Sequence, residues 1–253
     1  MRHFLTTGII LQKRNSGENN HYLTIFSPEH GRINAVSKYS RNLKSALGGN
    51  LEMLNFCQFQ IYETPHNFTV IQCQLEKSYL NIRDNLEKSL YAMHLLEIFE
   101  KSVNGQNTDE SFELFQLLET SIEFLASTKN YELIIENFKI QLLNILGNFP
   151  DISLCFFCQK KWTENDKIWL DQEGSLACLS CFNRIHGITE VIPFSLMKLI
   201  HFLVRPTQKL RLDQIILSQE QQFQLKRVIN IFIQNYLHRE IVSERMLQKI
   251  IEN

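Results

Sequence analysis

The stretch HYLTIFSPEHGRINAVS, residues 21–37, decides how the first third of the chain folds. Two short apolar runs, HYLTIFS (21–27) and GRINAVS (31–37), flank Ser27-Pro28-Glu29-His30-Gly31, where proline and glycine mark a turn between strands. Upstream, residues 4–13 are apolar and Thr-rich and read as another strand. Downstream, LEMLNFCQFQIYE (51–63) sets Leu51, Met53, Cys57, Phe59 and Ile61 on one face at period two. FTVIQCQL (68–75) does the same with Ile71, Cys73 and Leu75, and Thr64-Pro65-His66-Asn67 joins the two as a hairpin. Five short strands, with no helical interruption longer than residues 37–49, predict a small closed barrel of the OB type.

From about residue 78 the apolar period becomes that of helices. Leu114/Phe115, Leu118, Ile122 and Leu125 are spaced three and four apart, as are Ile134/Ile135, Phe138, Leu142 and Ile145/Leu146. Gly147 and Pro150 stop the second of these runs. FSLMKLIHFLV (194–204) and a run from Ser218 resume the pattern, the latter with an apolar stripe of Leu225, Val228/Ile229, Phe232 and Tyr236. The expected architecture is an α+β multidomain chain. An OB-type barrel (1–77) is followed by an all-α domain in two parts (78–150 and 191–253), interrupted by a four-cysteine insert (151–190).

A chain of 253 residues can bury a sizeable core, and no apolar run approaches the roughly 20 residues that span a bilayer. The opening Met1-Arg2-His3-Phe4-Leu5-Thr6-Thr7 lacks the pattern of a secretory signal, so a cytoplasmic location is the expectation. The net charge of -1 conceals segregation. Residues 1–80 carry 8 Lys/Arg against 5 Asp/Glu, residues 81–150 carry 5 against 11, and residues 151–253 carry 13 against 11. Because the local field governs attraction of a polyanion, a basic first segment is compatible with nucleic-acid binding despite the neutral total.

Cys155-Phe156-Phe157-Cys158 and Cys178-Leu179-Ser180-Cys181, 19 residues apart, match the spacing of a four-thiolate zinc site. KIWLDQEGSLAC (167–178), with Gly174, reads as a hairpin between the knuckles. Redox or merely buried thiols are the competing reading, and the thioredoxin-like setting of a redox Cys-x-x-Cys is missing. Four thiolates leave no open position for an activated water, so one structural Zn2+ is expected. His186 is near enough in sequence to replace a cysteine ligand; a surface histidine is the plainer reading. Cys57 and Cys73 fall on apolar strand faces as small core residues.

Phosphate-loop, G-x-S-x-G and H-E-x-x-H patterns do not occur, and Gly48-Gly49 is followed by Asn50-Leu51 and not by Lys-Ser/Thr. A nucleotide cofactor is not expected, and an ATP-driven or hydrolytic enzyme is disfavoured. Gly48-Gly49 reads as a flexible re-entry into the next strand.

Gly17-Glu18, Leu23 to Phe26, His30-Gly31-Arg32 and Lys44 to Gly49, followed by helices with a four-cysteine knuckle, give the chain its family likeness. It resembles the bacterial RecO family of DNA recombination and repair mediators. The order of parts matches over essentially the whole chain, and residues 16–56 match in motif detail. The resemblance implies an OB barrel that binds single- and double-stranded DNA, annealing of complementary strands, and recombinase loading on strands coated by single-strand binding protein. It implies RecR and the acidic C-terminal tail of single-strand binding protein as partners, with no ATP use and no membrane. The family's basic loop often carries paired Arg/Lys where this chain has Arg41-Asn42. Zinc occurs in only some members, so the cysteines carry that expectation themselves.

SKYSRNLKSALGG (37–49) places Lys38, Arg41 and Lys44 at intervals of three with no acid among them, which suits a phosphate track. Arg32, Lys13 and Arg14 extend this candidate DNA surface. Tyr39 or Tyr22 is a candidate base-stacking platform, with packing against the barrel as the alternative. Lys226, Arg227, Arg239 and Arg245 in the last helices are candidates for the rim of a groove for the partner tail. Three functional classes follow: a DNA-binding mediator, a protein-only adaptor, and an RNA-binding barrel.

Overall fold

The computed structural model describes residues 2–42, 45, 47–103, 109–185, 187–205 and 212–251; Lys44 and His186 lie outside them. The chain forms two compact units, 1–126 and 127–253.

The first unit opens with five strands: β1 (Arg2–Ser16), β2 (Asn20–Ser27), β3 (Gly31–Ser37), β4 (Phe56–Glu63) and β5 (Phe68–Lys77). They close in the order β1-β2-β3-β5-β4, the barrel that the alternating runs predicted. β1 makes closure possible by pairing antiparallel with β4 through its first half and with β2 through its second. β3 and β5 run parallel, with Ala35 opposite Phe68 and Ser37 opposite Val70. Inside lie Ile10, Leu23, Ile25, Ile33, Ala35, Cys57, Phe59, Ile61, Val70 and Cys73. Gly31 takes φ 60° at the β2–β3 turn, a conformation that the other residues of the motif adopt only with strain.

Three details depart from simple alternation. Leu51 was expected in a strand, yet β4 begins only at Phe56. Leu51 is nevertheless fully buried in the barrel core, because residues 47–55 fold back and exchange hydrogen bonds with Ile10. Ile71 and Leu75 were expected on the inner face with Cys73, but they are 40% and 38% exposed. The β4–β5 register slips between Gln60 and Ile61, making Ile71 an extra residue. That bulge brings Val70 inward and turns Ile71 out, whereas Leu75 stands opposite Cys57 in a register that the bulge does not change. Finally, a Cβ on Gly48 would lie 2.8 Å from the Ser40 carbonyl oxygen, so close packing against residue 40 requires glycine there.

Three helices complete this unit: α1 (Leu80–Arg83), α2 (Leu86–Ser102) and α3 (Ser111–Ser127, whose last residue opens the second unit). The Asn85 side chain caps α2 by accepting from the Lys88 amide. α2 covers one strip of the barrel exterior, where Phe99 meets Phe26 edge-on at 4.8 Å and Glu100 pairs with Arg32. α3 covers another, with Phe115 5.8 Å from Phe56 and Glu119 and Glu123 both holding Lys77.

The second unit is organised around α4 (Tyr131–Ile145), packed by α5 (Phe194–Val204) and α6 (Gln219–Leu237), with α7 (Val242–Ile251) at its end. Ser218 and Gln221 form a capping box at the start of α6. Between α4 and α5 lies a three-stranded sheet in the order β7 (Leu176–Ala177), β6 (Ile168–Asp171), β8 (Ile188–Ile192). α4 is buried nearly all round, which its amphipathic stripe did not indicate, and it takes charges inside with it. Lys139 Nζ donates to Glu136 Oε1 at 2.9 Å and to Asn230 Oδ1 at 2.7 Å, and Asn230 in turn donates to Glu244. Burial pushes the Glu136 carboxyl above its ordinary value, opposed by Lys139. Its Oε2 has no hydrogen-bond partner among the described residues.

Replacing Lys139 alone with Met should therefore cost about 3–5 kcal/mol in urea unfolding, because it leaves a buried carboxylate unpaired. The loss should be smaller at pH 5 than at pH 8, since a protonated Glu136 needs no counter-charge. Adding Glu136→Leu should restore most of the stability; a double variant as weak as the single would assign the loss to shape and not to charge.

Candidate nucleic-acid interface and metal centre

Residues 38–42 form a turn at the end of β3, and backbone geometry sets where its side chains go. The Tyr39 amide donates to Asn20 Oδ1 at 2.9 Å, the Arg41 amide to the Asn19 carbonyl at 3.1 Å, and the Arg41 guanidinium to the Gly17 carbonyl at 2.8 Å. Beneath it, Ser40 Oγ donates to the Ser37 carbonyl and lies 2.8 Å from His21 Nδ1. Burial, reinforced by the nearby Lys13 and Arg41 charges, holds the His21 imidazole below its ordinary value. A neutral ring with its proton on Nδ1 satisfies this geometry, because the serine hydroxyl proton is already used. The basic turn is thus stapled to the β1–β2 turn, with Lys38, Tyr39 and Arg41 exposed.

The six candidate cations have different surroundings. Lys38, Arg41 and Arg14 are exposed, and Lys44 lies outside the described residues. Lys13 Nζ is 2.8 Å from Glu52 with its side chain 18% exposed. Arg32 is 2.8 Å from Glu100 and also donates to that residue's carbonyl. Of the two tyrosines, Tyr39 is 65% exposed at φ 55° and Tyr22 is 40% exposed.

Strand register reveals a row that the sequence did not announce. Arg14 pairs with Tyr22, Tyr22 with Val36, Val36 with Thr69, Thr69 with Tyr62 and Tyr62 with His3. Directly paired residues share a face, and the alternate positions Leu23, Ala35, Ile61 and Val70 are in the core, so this row faces outward. The His3 and Tyr62 rings are 4.7 Å apart at an interplanar angle of 36°. Five strands contribute to the row, so only the barrel's register could identify it.

In the second unit the four predicted cysteines meet. Their sulfurs all lie within 4.8 Å of one another, and Cys158 Sγ is 3.7 Å from Cys178 Sγ. A tetrahedron with 2.3 Å metal–sulfur arms has edges of about 3.8 Å. The first knuckle closes through Gln159, which takes φ 61° and whose amide donates to the Cys155 carbonyl at 2.9 Å. The Phe156 amide bonds the Leu176 carbonyl at 2.8 Å and so ties this knuckle to the β6–β7 hairpin. Asp166 pins the intervening loop through Lys160 and Thr163. Trp169, Ala177 and Ile185 pack around the sulfurs, with Trp162, Phe157 and Phe182 outside them.

The close sulfurs shift one another's proton affinity. Burial raises the Cys155 thiol, but backbone amides of Cys158, Cys178 and Phe157 outweigh it and bring the group down to about 6. Cys181 is instead pushed up to about 12, by burial first and then by the neighbouring sulfurs. Four sulfurs this close cannot all carry charge unless a positive ion sits among them. The cluster is therefore positioned to bind a metal ion.

The four candidate rim residues divide. Arg239 and Arg245 line a cavity of about 590 Å3 together with Asn230, Gln234, His238, Glu240, Ile241 and Glu244. Arg245 pairs with Glu240 there. Lys226 and Arg227 do not line it; Arg227 pairs with Glu190 and lies 5.4 Å over the Phe223 ring.

Among the described residues no helix is long and apolar enough to cross a membrane. Residues 1–79 match the family described as Recombination protein O N terminal, and residues 83–245 match Recombination protein O C terminal. A protein of Acetivibrio thermocellus named DNA repair protein RecO is 33% identical over 159 residues, 62% of each chain. One of the same name from Dehalococcoides mccartyi is 28% identical over 85% of each chain, and one from a Thermoanaerobacter species 24% identical over 99% of each. The closed barrel, the helical unit and the matches to both halves lead to one conclusion: this chain belongs to the RecO family of DNA repair proteins.

Proposed function

We propose that this protein is a DNA-binding recombination mediator whose barrel, residues 1–77, binds single- and double-stranded DNA and anneals complementary strands without nucleotide. The observation that carries this reading is the exposed set Lys38, Arg41 and Arg14, held beside Tyr22 and Tyr39 on a barrel whose turns are stapled together. The Arg41 guanidinium, already held by the Gly17 carbonyl, meets a phosphate with less conformational freedom to lose. Lys13 serves chiefly to tie β1 to the 47–55 segment through Glu52, and Arg32 to tie the barrel to α2 through Glu100. RecR and the acidic tail of single-strand binding protein are the partners implied by family membership. Arg239 and Arg245 support a rim for that tail, although Glu240 and Glu244 share the cavity and leave its charge balanced.

Replacing Lys38, Arg41 and Lys44 together with Ala should reduce the log–log salt slope of single-strand binding by about two, at roughly 0.7 per phosphate. Arg32→Ala should leave the slope unchanged. Annealing of strands coated with single-strand binding protein should accelerate in the wild type and not in the triple variant. No acceleration by wild type would favour a protein-only adaptor, and tighter binding of RNA than of DNA of equal sequence would favour the third class.

We further propose that the metal is one structural zinc. Both tryptophans of the chain, Trp162 and Trp169, pack around the cysteine cluster, so their fluorescence reports on this module alone. Metal analysis should find about one zinc per chain, and Cys155→Ser with Cys178→Ser should abolish it. Chelation should shift tryptophan emission to the red, since a four-thiolate zinc contributes folding energy of order 10 kcal/mol. Unchanged emission after complete zinc removal would show that the module folds without it.

A further inference from the structure

We propose that the paired rings of His3 and Tyr62 form a second base-stacking platform on the barrel, at the far end of a single-strand track that starts at Tyr22. This rests on the DNA-binding reading above and deepens it, because it says which form of DNA the face selects.

The argument starts from what is uncovered. α2 lies over Phe26 and α3 beside Phe56, whereas Arg14, Tyr22 and His3 are exposed and Val36, Thr69 and Tyr62 partly so. At about 4.8 Å per strand, three steps separate Tyr22 from Tyr62, about 14 Å along the sheet. That falls within the span of the roughly 4–16 nucleotides an OB barrel accommodates. Between the two platforms the floor is low, formed by Val36 and Thr69. A cation stands at the Tyr22 end. Arg14 is Tyr22's direct strand partner and sits on the same face as the rings.

Charge and ring placement together select the occupant. Rings separated by small residues, with a cation beside the first, suit a chain of alternating flat bases and phosphates. A duplex keeps its base faces stacked inside and offers this face only phosphates. The tilted contact between His3 and Tyr62 holds the tyrosine ring in place before any base arrives. The face is thereby a reader of unpaired bases, while the exposed lysine and arginine charges serve both forms of DNA.

Binding of an oligonucleotide containing 2-aminopurine tests the idea at fixed salt. Tyr62→Ala should weaken single-strand binding roughly 5- to 100-fold, the range for loss of one stacked base, and should relieve quenching of the probe. Duplex affinity and the salt slope should not change, and Tyr62→Phe should bind like wild type. Tyr62→Leu guards against a folding artefact, since it keeps apolar bulk and removes the aromatic face. If Tyr62→Leu melts like wild type and binds single strands as tightly, the platform is refuted while DNA binding stands. Equal losses on single strands and duplex would also refute it. Failure of the wild-type chain to bind DNA at all would remove the underlying reading as well.

Discussion

Closure of the barrel through β1 is the constraint on which the rest of the first unit depends. The barrel closes where β4, the last strand in the order, pairs with β1, and β1 reaches both β4 and β2 by being 15 residues long and slipping register between Ile10 and Gln12. That slip lets the strand leave β4 and continue along β2, with Ile9, Ile10 and Leu11 all buried at the crossover. The β2–β3 pairing of His21 with Ser37 brings the β1–β2 turn against the end of β3, where Asn19, Asn20 and Gly17 fasten the basic turn. The outward row from Arg14 to His3 begins and ends on β1 because the barrel closes through that strand.

Charge in this protein has to be read by commitment as well as by sign. A basic first segment is apparent from composition, yet its cations divide into those that hold the unit together and those that face solvent. Arg32 and Lys13 bind acids of the same unit, and Lys77 is shared between two glutamates of α3. Lys38, Arg41 and Arg14 keep their charge exposed at one end of the barrel. The local field that a polyanion meets is set by this second group, because a paired cation contributes little beyond its partner.

The second unit uses two different means of holding polar groups in its interior. In the cysteine module, four sulfurs are gathered around one point by backbone bonds and by a small aromatic shell, a geometry that a metal ion completes. In α4, Glu136 and Lys139 neutralise each other deep among apolar side chains, with Asn230 and Glu244 extending the chain of contacts. Such a pair adds little net stability compared with apolar residues of equal size, but each member is costly to remove alone.

What the sequence determined by itself was whatever depends on nearby residues. Turn chemistry at Ser27–Gly31, period-two runs, helical stripes and paired Cys-x-x-Cys motifs are local signals, and barrel, helices and the four-cysteine cluster were legible from them. Bulges were not legible, because the extra residue at Ile71 is recognisable only against its partner strand, and a side chain expected in the core faces outward as a result. Nor was the burial of Lys139 visible, since a lysine in an apolar helix reads as exposed until its neighbours are known. Only the tertiary structure decided which cations are already paired, and only strand register placed His3 beside Tyr62, 59 positions apart, in line with Arg14 and Tyr22. Contacts of that kind are fixed by how the sheet closes on itself, a property of the whole barrel that no short stretch of its sequence contains.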